Sequence, residues 1–279
     1  MARPDVPELI GTAINAAMLA GREILAVYQQ GVEVTLKEDH TPLTEADRRA
    51  HRTILHALLD TQLPVLSEEG GVVGLAERQG WRHYWLVDPL DGTKEFIARN
   101  GEFTVNIALM ESDGPPVGAQ GTSRPIGGVI YAPVLDLLYF AWSGGGAYRQ
   151  RQAGTSIAIP TYERASMAEG LPVERKKDRP FTVVGSRSHS SPETAAFVER
   201  MRAQHGELAF MSMGSALKMG LVAEGAADVY PRFAPTMEWD TAAGHAICME
   251  AGRTITDMVT GAPMRYNKKE LVNNSFIVE

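Results

Sequence analysis

The chain has 279 residues, 44% of them hydrophobic and 22% charged, proportions that suit a globular protein with a sizeable core. Thirty-four acidic against 27 basic residues leave a net charge of −7, which speaks against a general nucleic-acid binder. A lone cysteine, Cys248, excludes an internal disulfide and a thiolate-cluster metal site, and no unbroken apolar run of about 18 residues supplies an integral membrane segment. A cytoplasmic protein is expected, with peripheral attachment at the inner membrane left open.

Ile10, Ile14, Ala17, Gly21, Ile24 and Tyr28 recur at spacings of three and four, which predicts a first helix stopped near Gly31. An extended piece over residues 32–37 leads to a polar turn around Asp39 and Pro42. A second helix starts near Thr44, with Ile54, Leu55, Leu58 and Leu59 as its buried stripe. Thr44-Glu45-Ala46-Asp47 matches a capping box, so Asp47 reads by itself as a helix-start device. Strands are expected over residues 64–67, 84–87, 104–110, 126–131 and 137–142. Residues 112–125, with three prolines and three glycines, read as a surface loop. Gly144-Gly145-Gly146 reads as a turn, since no phosphate-loop pattern follows it. Residues 162–180 read as a solvated connector between two halves.

The second half alternates: strand 181–185, helix 192–204, strand 208–212, helix 215–224, strand 227–230, helix 241–251 and strand 253–256. Pro192 starts its first helix, and Gly225 and Gly252 close the next two. Such alternation favours a layered α/β architecture.

The chemistry concentrates in acidic residues that close apolar strands. Trp85-Leu86-Val87 delivers Asp88 at a strand end, where open α/β sheets place ligands. Pro89 removes a backbone donor, so the chain is expected to turn there and aim Asp88, the Leu90 carbonyl and Asp91 at one point. Gly92 permits close backbone approach, and Thr93 opens a short helix whose first N–H groups suit a phosphate. Val65-Leu66-Ser67 likewise ends in Glu68 and Glu69, and Asp240 sits at the mouth of a helix. Each has a plainer explanation: Asp240 as an N-cap, Asp91 as a turn residue, Glu68-Glu69 as a solvated pair. Were these carboxylates to converge, they would repel one another, and hard divalent cations would resolve that repulsion. An all-oxygen donor set favours Mg²⁺ over zinc or copper, and two such ions could clamp both oxygens of a phosphoryl transfer.

The segments PVLSEE (residues 64–69), YWLVDPLDGTKEFIARNGEFTVNIALM (84–110), GSRSH (185–189) and LVAEGAADVYPRFAPTMEWDTAAGH (221–245) carry a family likeness. On them the chain resembles the lithium-sensitive, magnesium-dependent phosphatase superfamily of inositol monophosphatase, to which the D-P-x-D-G-T core is specific. The DGTKEF continuation and the YPRF…WDTAAGH run resemble its bacterial 3′(2′),5′-bisphosphate nucleotidase branch. The likeness covers nearly the whole chain; only the loop at 112–125 looks longer than usual.

The resemblance implies an αβαβα sandwich of the inositol monophosphatase and fructose bisphosphatase type. Residues 1–160 would form an α+β half with most metal ligands, and 161–279 an α/β half with the nucleotide-binding residues and the last ligand. It implies two or three Mg²⁺ per site. Glu68, Asp88 and the Leu90 carbonyl would hold one; Asp88, Asp91 and Asp240 would hold a second, with Glu69 assisting. Thr93, hydrogen-bonded to Asp47, would activate the attacking water, with Glu68 also in the catalytic set. Gly92 and Thr93 amides would receive the scissile phosphate. Ser215, Lys218, Arg232 and Asp240 would contact a small-molecule nucleotide, and His189 would lie near its base or ribose. Without the family, Lys218 reads as a solvated helix lysine, Arg232 as a surface charge and His189 as a loop histidine; His245 reads as structural. The implied reaction removes the 3′-phosphate of adenosine 3′,5′-bisphosphate, with its sulfated analogue PAPS as a second substrate. An inositol or sugar phosphatase and a non-catalytic metal- or nucleotide-binding protein are the alternatives. An aspartyl-phosphate mechanism is disfavoured, because Asp88 and Asp91 are three apart rather than two. The oligomeric state is not readable.

Overall fold

The computed structural model describes residues 4–30, 34–36, 42–114, 121–155, 158–173, 179–186 and 191–279. Helix α1 (Val6–Gln30) buries Ile10, Ile14, Ala17, Gly21 and Ile24, joined by Ala13, Met18, Ala20 and Val27, so its apolar face is broader than the spacing alone predicted. Gly31, the expected stop, lies outside the described residues, as does Asp39. By length and composition α1 is apolar enough to cross a membrane, which the search for unbroken apolar runs did not register. Its buried face instead packs into the core. Strands β1 (Val34–Leu36) and β2 (Pro42–Thr44) pair antiparallel ahead of α2 (Glu45–Leu58).

The buried stripe of α2 is Ala46, Asp47, Ala50, Ile54 and Leu58, which keeps the predicted Ile54 and Leu58 but not Leu55 or Leu59. Leu55 and Leu59 are exposed, because each stands one residue, or about 100° of helix rotation, off that stripe.

The main sheet has the order β3 (Val65–Ser67), β4 (His83–Asp91), β5 (Thr104–Ser112), β6 (Ser123–Ala132), β7 (Leu137–Trp142), β8 (Gly146–Arg151), β9 (Glu169–Gly170). Only β3 and β4 are parallel, with helix α3 (Leu75–Arg78) between them and α4 (Thr93–Ile97) after β4; the other neighbours run antiparallel. Strand β4 does not turn at Pro89. It continues to Asp91 across a bulge between Asp88 and Asp91, where the register against β5 shifts. A proline fits a strand at such a bulge, since no ladder bond is asked of it.

The 112–125 segment is less of a loop than expected: β6 begins at Ser123, which is buried, while residues 115–120 lie outside the described set. The glycine turn leads directly into β8, and the Glu250 carboxylate accepts from the Gly144 and Gly146 amides at 3.0–3.1 Å. The supposed connector contains helix α5 (Thr161–Met167), with Arg164 buried, and then β9. Arg164 donates to Gln150 at 2.7 Å, tying the segment to β8.

The second half supplies α6 (Pro192–His205), α7 (Leu217–Ala223) and α8 (Glu238–Glu250). Parallel strands β10 (Phe181–Gly185) and β11 (Leu208–Ser212) lie beside the antiparallel set β12 (Tyr230–Arg232), β14 (Phe276–Val278) and β13 (Ile255–Asp257). A parallel bridge from Val183 to Val229 joins the two.

The layers follow from side-chain alternation along β4. Trp85 and Val87 face α1 and α2, whereas Tyr84 and Leu86 face α7 and α8. The α7/α8 layer also buries Phe276 and Val278 of the second sheet, and α6 covers that sheet's far side through Phe197 against Val183 and Val229. The result is the expected αβαβα sandwich. Full burial of Leu86 or Val87 contributes about 1.5–3 kcal/mol each. Helix α8 lies so close to β6 that a Cβ on Gly128 would stand 2.3 Å from the Ala243 carbonyl oxygen, so a side chain there would push the layers apart.

Candidate active site

Parallel pairing of β3 and β4 sets Ser67 opposite Val87, and the Glu68 amide donates to the Val87 carbonyl at 3.1 Å. Glu68 therefore emerges beside Asp88 at the carboxyl ends of both strands. The first turn of α8 brings Asp240 to the same place. Ligand oxygens of Glu68, Asp88 and Asp240 all lie within 4.8 Å of one another, although 172 positions separate the first from the last (240 − 68).

Around this cluster lies a cavity of about 290 Å³. Glu68, Asp88, Leu90, Asp91, Gly92, Thr93, Ser215, Lys218, Arg232 and Asp240, all singled out in the sequence, line it. Asp47 does not; it sits behind Thr93, 1% exposed. His189 falls outside the described residues, and Glu69 is not among the cavity's lining residues.

Burial raises the Asp88 carboxyl well above its ordinary range, with the Glu68, Asp91 and Asp240 charges adding to the effect and the Leu90 amide opposing it at 3.0 Å. Asp240 is likewise raised by burial, then by Asp91, against the Met237 amide at 2.8 Å. That bond corrects the N-cap reading: Asp240 is the third helical residue and reaches back to the backbone before α8. Burial also raises Asp91, but Lys218, Asn106 and the Ala216 amide oppose it. Asn106 Nδ2 and the Ala216 amide both donate to Asp91 Oδ2, at 3.1 and 2.6 Å.

Lys218 is buried rather than solvated, and burial lowers its ammonium to about 8 despite nearby Asp91. Its Nζ donates to the Ser215 carbonyl at 2.5 Å and to the Met213 carbonyl at 3.4 Å. Arg232 is folded onto the Ala234 and Pro235 carbonyls at 3.0 and 3.1 Å. Thr44 is the N-cap of α2: its hydroxyl accepts from the Ala46 and Asp47 amides, and Asp47 Oδ2 accepts from the Thr44 amide and hydroxyl. The other oxygen, Oδ1, accepts from the Thr93 hydroxyl at 3.5 Å, the long end of a hydrogen bond. Gly92 enters α4 (Thr93–Ile97) at φ 93°, a conformation that favours glycine. His245 is structural as read, its Nδ1 3.0 Å from the Tyr266 hydroxyl inside the core.

The donor set is oxygen only, anionic and crowded, and burial, reinforced by neighbouring carboxylates, favours the protonated forms of Asp88, Asp91 and Asp240. That chemistry fits hard divalent cations such as Mg²⁺. Lys94, Lys218 and Arg232 line the same cavity, cations that complement a phosphorylated ligand. Asn106 was missed by sequence reading. It stands opposite Asp88 in the β4–β5 register, where its bond to Asp91 becomes visible only once the strands pair.

The model of the inositol monophosphatase family matches residues 5–277 of the chain. The chain belongs to the inositol monophosphatase family. That family is magnesium-dependent, in agreement with the donor set. Among its relatives, the protein of Salmonella typhimurium named 3′(2′),5′-bisphosphate nucleotidase CysQ is 44% identical over 90% of this chain and 91% of its own length. The Escherichia coli K12 protein of the same name is 43% identical, over 94% and 95% respectively. The crystal structure of CysQ from Bacteroides thetaiotaomicron, a bacterial family member, superposes with a TM-score of 0.84 at 45% identity, covering 99% of this chain and 98% of that one. The extragenic suppressor protein suhB of Bartonella henselae shares the fold at a TM-score of 0.69 and 27% identity, over 96% and 92% of the two chains.

Proposed function

We propose that the chain is a magnesium-dependent 3′(2′),5′-bisphosphate nucleotidase, which removes the 3′-phosphate of adenosine 3′,5′-bisphosphate to leave AMP and phosphate. PAPS is its second substrate. The observation that carries this reading is the meeting of two charges in one cavity: Glu68, Asp88, Asp91 and Asp240 line it together with Lys218 and Arg232. The relatives named as bisphosphate nucleotidases support it over a sugar or inositol phosphatase.

In this reading Glu68, Asp88 and the Leu90 carbonyl would hold one Mg²⁺, and Asp88, Asp91 and Asp240 a second, with Glu69 assisting. Bound there, the ions neutralise charge on the phosphate oxygens and make a nearby water more acidic. The chain's own groups do the rest. Thr93 Oγ1, donating to Asp47, has its oxygen free to accept from a water and so orients it toward phosphorus. As that water forms its bond to phosphorus, its proton passes to Thr93 while Thr93 passes its own to Asp47. The bond from phosphorus to the 3′-oxygen breaks, and that oxygen takes a proton from solvent. Gly92 and Thr93 amides receive the scissile phosphate at the start of α4. Lys218, Ser215 and Arg232 bind the nucleotide side, Arg232 through the planar fork that suits a phosphate, and His189 lies toward the base or ribose.

Residues 1–160 thus supply the phosphate end and 161–279 the nucleotide end, with Asp240 crossing to the former. The buried, unpaired thiol of Cys248 agrees with a reducing cytoplasm; the apolar face of α1 is covered in the core and lends no support to the inner-membrane location. The test is phosphate release from adenosine 3′,5′-bisphosphate and from inositol 1-phosphate side by side, with Mg²⁺ and with chelator. Faster metal-dependent release from the nucleotide is expected; a preference for inositol 1-phosphate would overturn the reading.

A further inference from the structure

The turn at residues 213–216, which brings Ser215, Ala216 and Lys218 to the cavity, is held by the opposite half of the molecule. Gly214 is buried, and its amide donates to Glu102 Oε2 at 2.8 Å. A Cβ at Gly214 would stand 2.5 Å from the Glu102 carbonyl oxygen and 2.8 Å from Glu95 Cγ, so the turn lies directly on the segment leading into β5. Two residues on, the Ala216 amide donates to Asp91 at 2.6 Å. Alternate amides of one turn are thus fixed by two carboxylates of the first half.

Between them Ser215 has φ 48°, a left-handed conformation that a non-glycine residue adopts only where its surroundings impose it. Lys218 Nζ closes the turn from within, on the Met213 and Ser215 carbonyls. Asp91 lines the cavity beside the acidic cluster and has Asn106 as a second anchor. Glu102 is not among the residues lining the cavity.

We infer that Glu102 is a positioning residue for nucleotide binding: its carboxylate tethers the 213–216 turn so that Ser215 and Lys218 face the nucleotide. The inference rests on the nucleotidase reading above. A nucleotide substrate reaches from the carboxylates to the 213–216 turn, whereas a small phosphate ester needs mainly the carboxylates. Loosening the turn therefore weakens the first more than the second. The remaining Asn106 bond keeps Asp91 in place, so the effect falls on binding.

Two measurements on Glu102→Ala and Glu102→Gln test this. Without substrate, amide hydrogen exchange over residues 213–217 should accelerate in Glu102→Ala and return toward the original rate in Glu102→Gln, whose side-chain oxygen can still accept. In kinetics, Glu102→Ala should raise KM for adenosine 3′,5′-bisphosphate on the order of tenfold, about 1.4 kcal/mol. Its kcat, and KM for inositol 1-phosphate, should move far less, and Glu102→Gln should recover most of the loss. Unaltered exchange in Glu102→Ala would overturn the tether itself. Faster exchange with equal losses for both substrates, or with a loss confined to kcat, would overturn its role in nucleotide binding. Should the original protein prefer inositol 1-phosphate, the nucleotidase reading fails and this role falls with it, while the exchange result still judges the tether.

Discussion

Asp47 divides its two carboxylate oxygens between two residues: Oδ2 accepts from Thr44 at the start of α2, and Oδ1 accepts from Thr93 at the start of α4. A single buried side chain therefore fixes the helix and aims the hydroxyl, which makes the two functions separable by mutation. Thr93→Ala should lower kcat by about a hundredfold or more, the range of a lost proton-transfer step, with little change in KM or Tm. Asp47→Ala should lower kcat similarly and in addition cost about 1 kcal/mol of stability through the lost cap. Steady-state kinetics paired with thermal unfolding reads both; a Thr93→Ala enzyme altered only in KM would restrict Thr93 to phosphate binding.

Asp91→Asn should preserve the fold, because the one oxygen that accepts from Asn106 and Ala216 can be supplied by an amide. The lost negative charge would weaken the proposed metal site. Turnover at fixed Mg²⁺ should fall by about two to three orders of magnitude, and the Mg²⁺ concentration for half-maximal activity should rise. A folded Asp91→Asn protein with ordinary Mg²⁺ dependence would remove Asp91 from the site.

The raised carboxyls make a pH prediction whose sign is fixed. In the metal-free protein the folded-state pKa values of Asp88, Asp91 and Asp240 lie above their ordinary values. The fold thus favours the protonated forms. Their contribution is fully present below the ordinary aspartate range and is lost as pH rises through the raised values. Magnesium bound to the deprotonated cluster, as proposed, would relieve that loss. It should raise Tm more at about pH 8 than at about pH 5.5; near a hundredfold excess over Kd, the gain is about 2.7 kcal/mol, or roughly 5–10 °C. Differential scanning fluorimetry at the two pH values, with Mg²⁺ and with chelator, measures it. A larger shift at the lower pH would contradict the cluster as the binding site.

With Lys218 held at about 8, its positive charge fades as pH rises through that value. KM for a nucleotide bisphosphate should accordingly climb above about pH 8 in the original protein. In Lys218→Met, KM should be raised already at neutral pH and follow pH less steeply. Parallel pH profiles of the two proteins would refute this.

Much of the site could be read from the chain because its carboxylates end apolar runs. Glu68 after Val65-Leu66-Ser67 and Asp88 after Trp85-Leu86-Val87 announce strand ends, and strand ends in layered α/β folds face ligands. The meeting of those carboxylates with Asp240 was not derivable from local pattern, and the family likeness supplied it. Local pattern also misjudged β4 at Pro89, because a bulge depends on the partner strand, and it misjudged Leu55 and Leu59, because short apolar pairs leave a helix's rotation undetermined. Asn106 and Glu102 gave no local signal, since a neutral strand residue and a loop glutamate acquire meaning only from the residues the fold sets against them.

The measurement closest to the central claim is a crystal grown with Mn²⁺ in place of Mg²⁺ and its anomalous scattering. The account predicts peaks enclosed by Glu68, Asp88, Asp91 and Asp240, in the cavity that Lys218 and Arg232 also line. Manganese-supported turnover with all anomalous peaks lying away from these four side chains would contradict it.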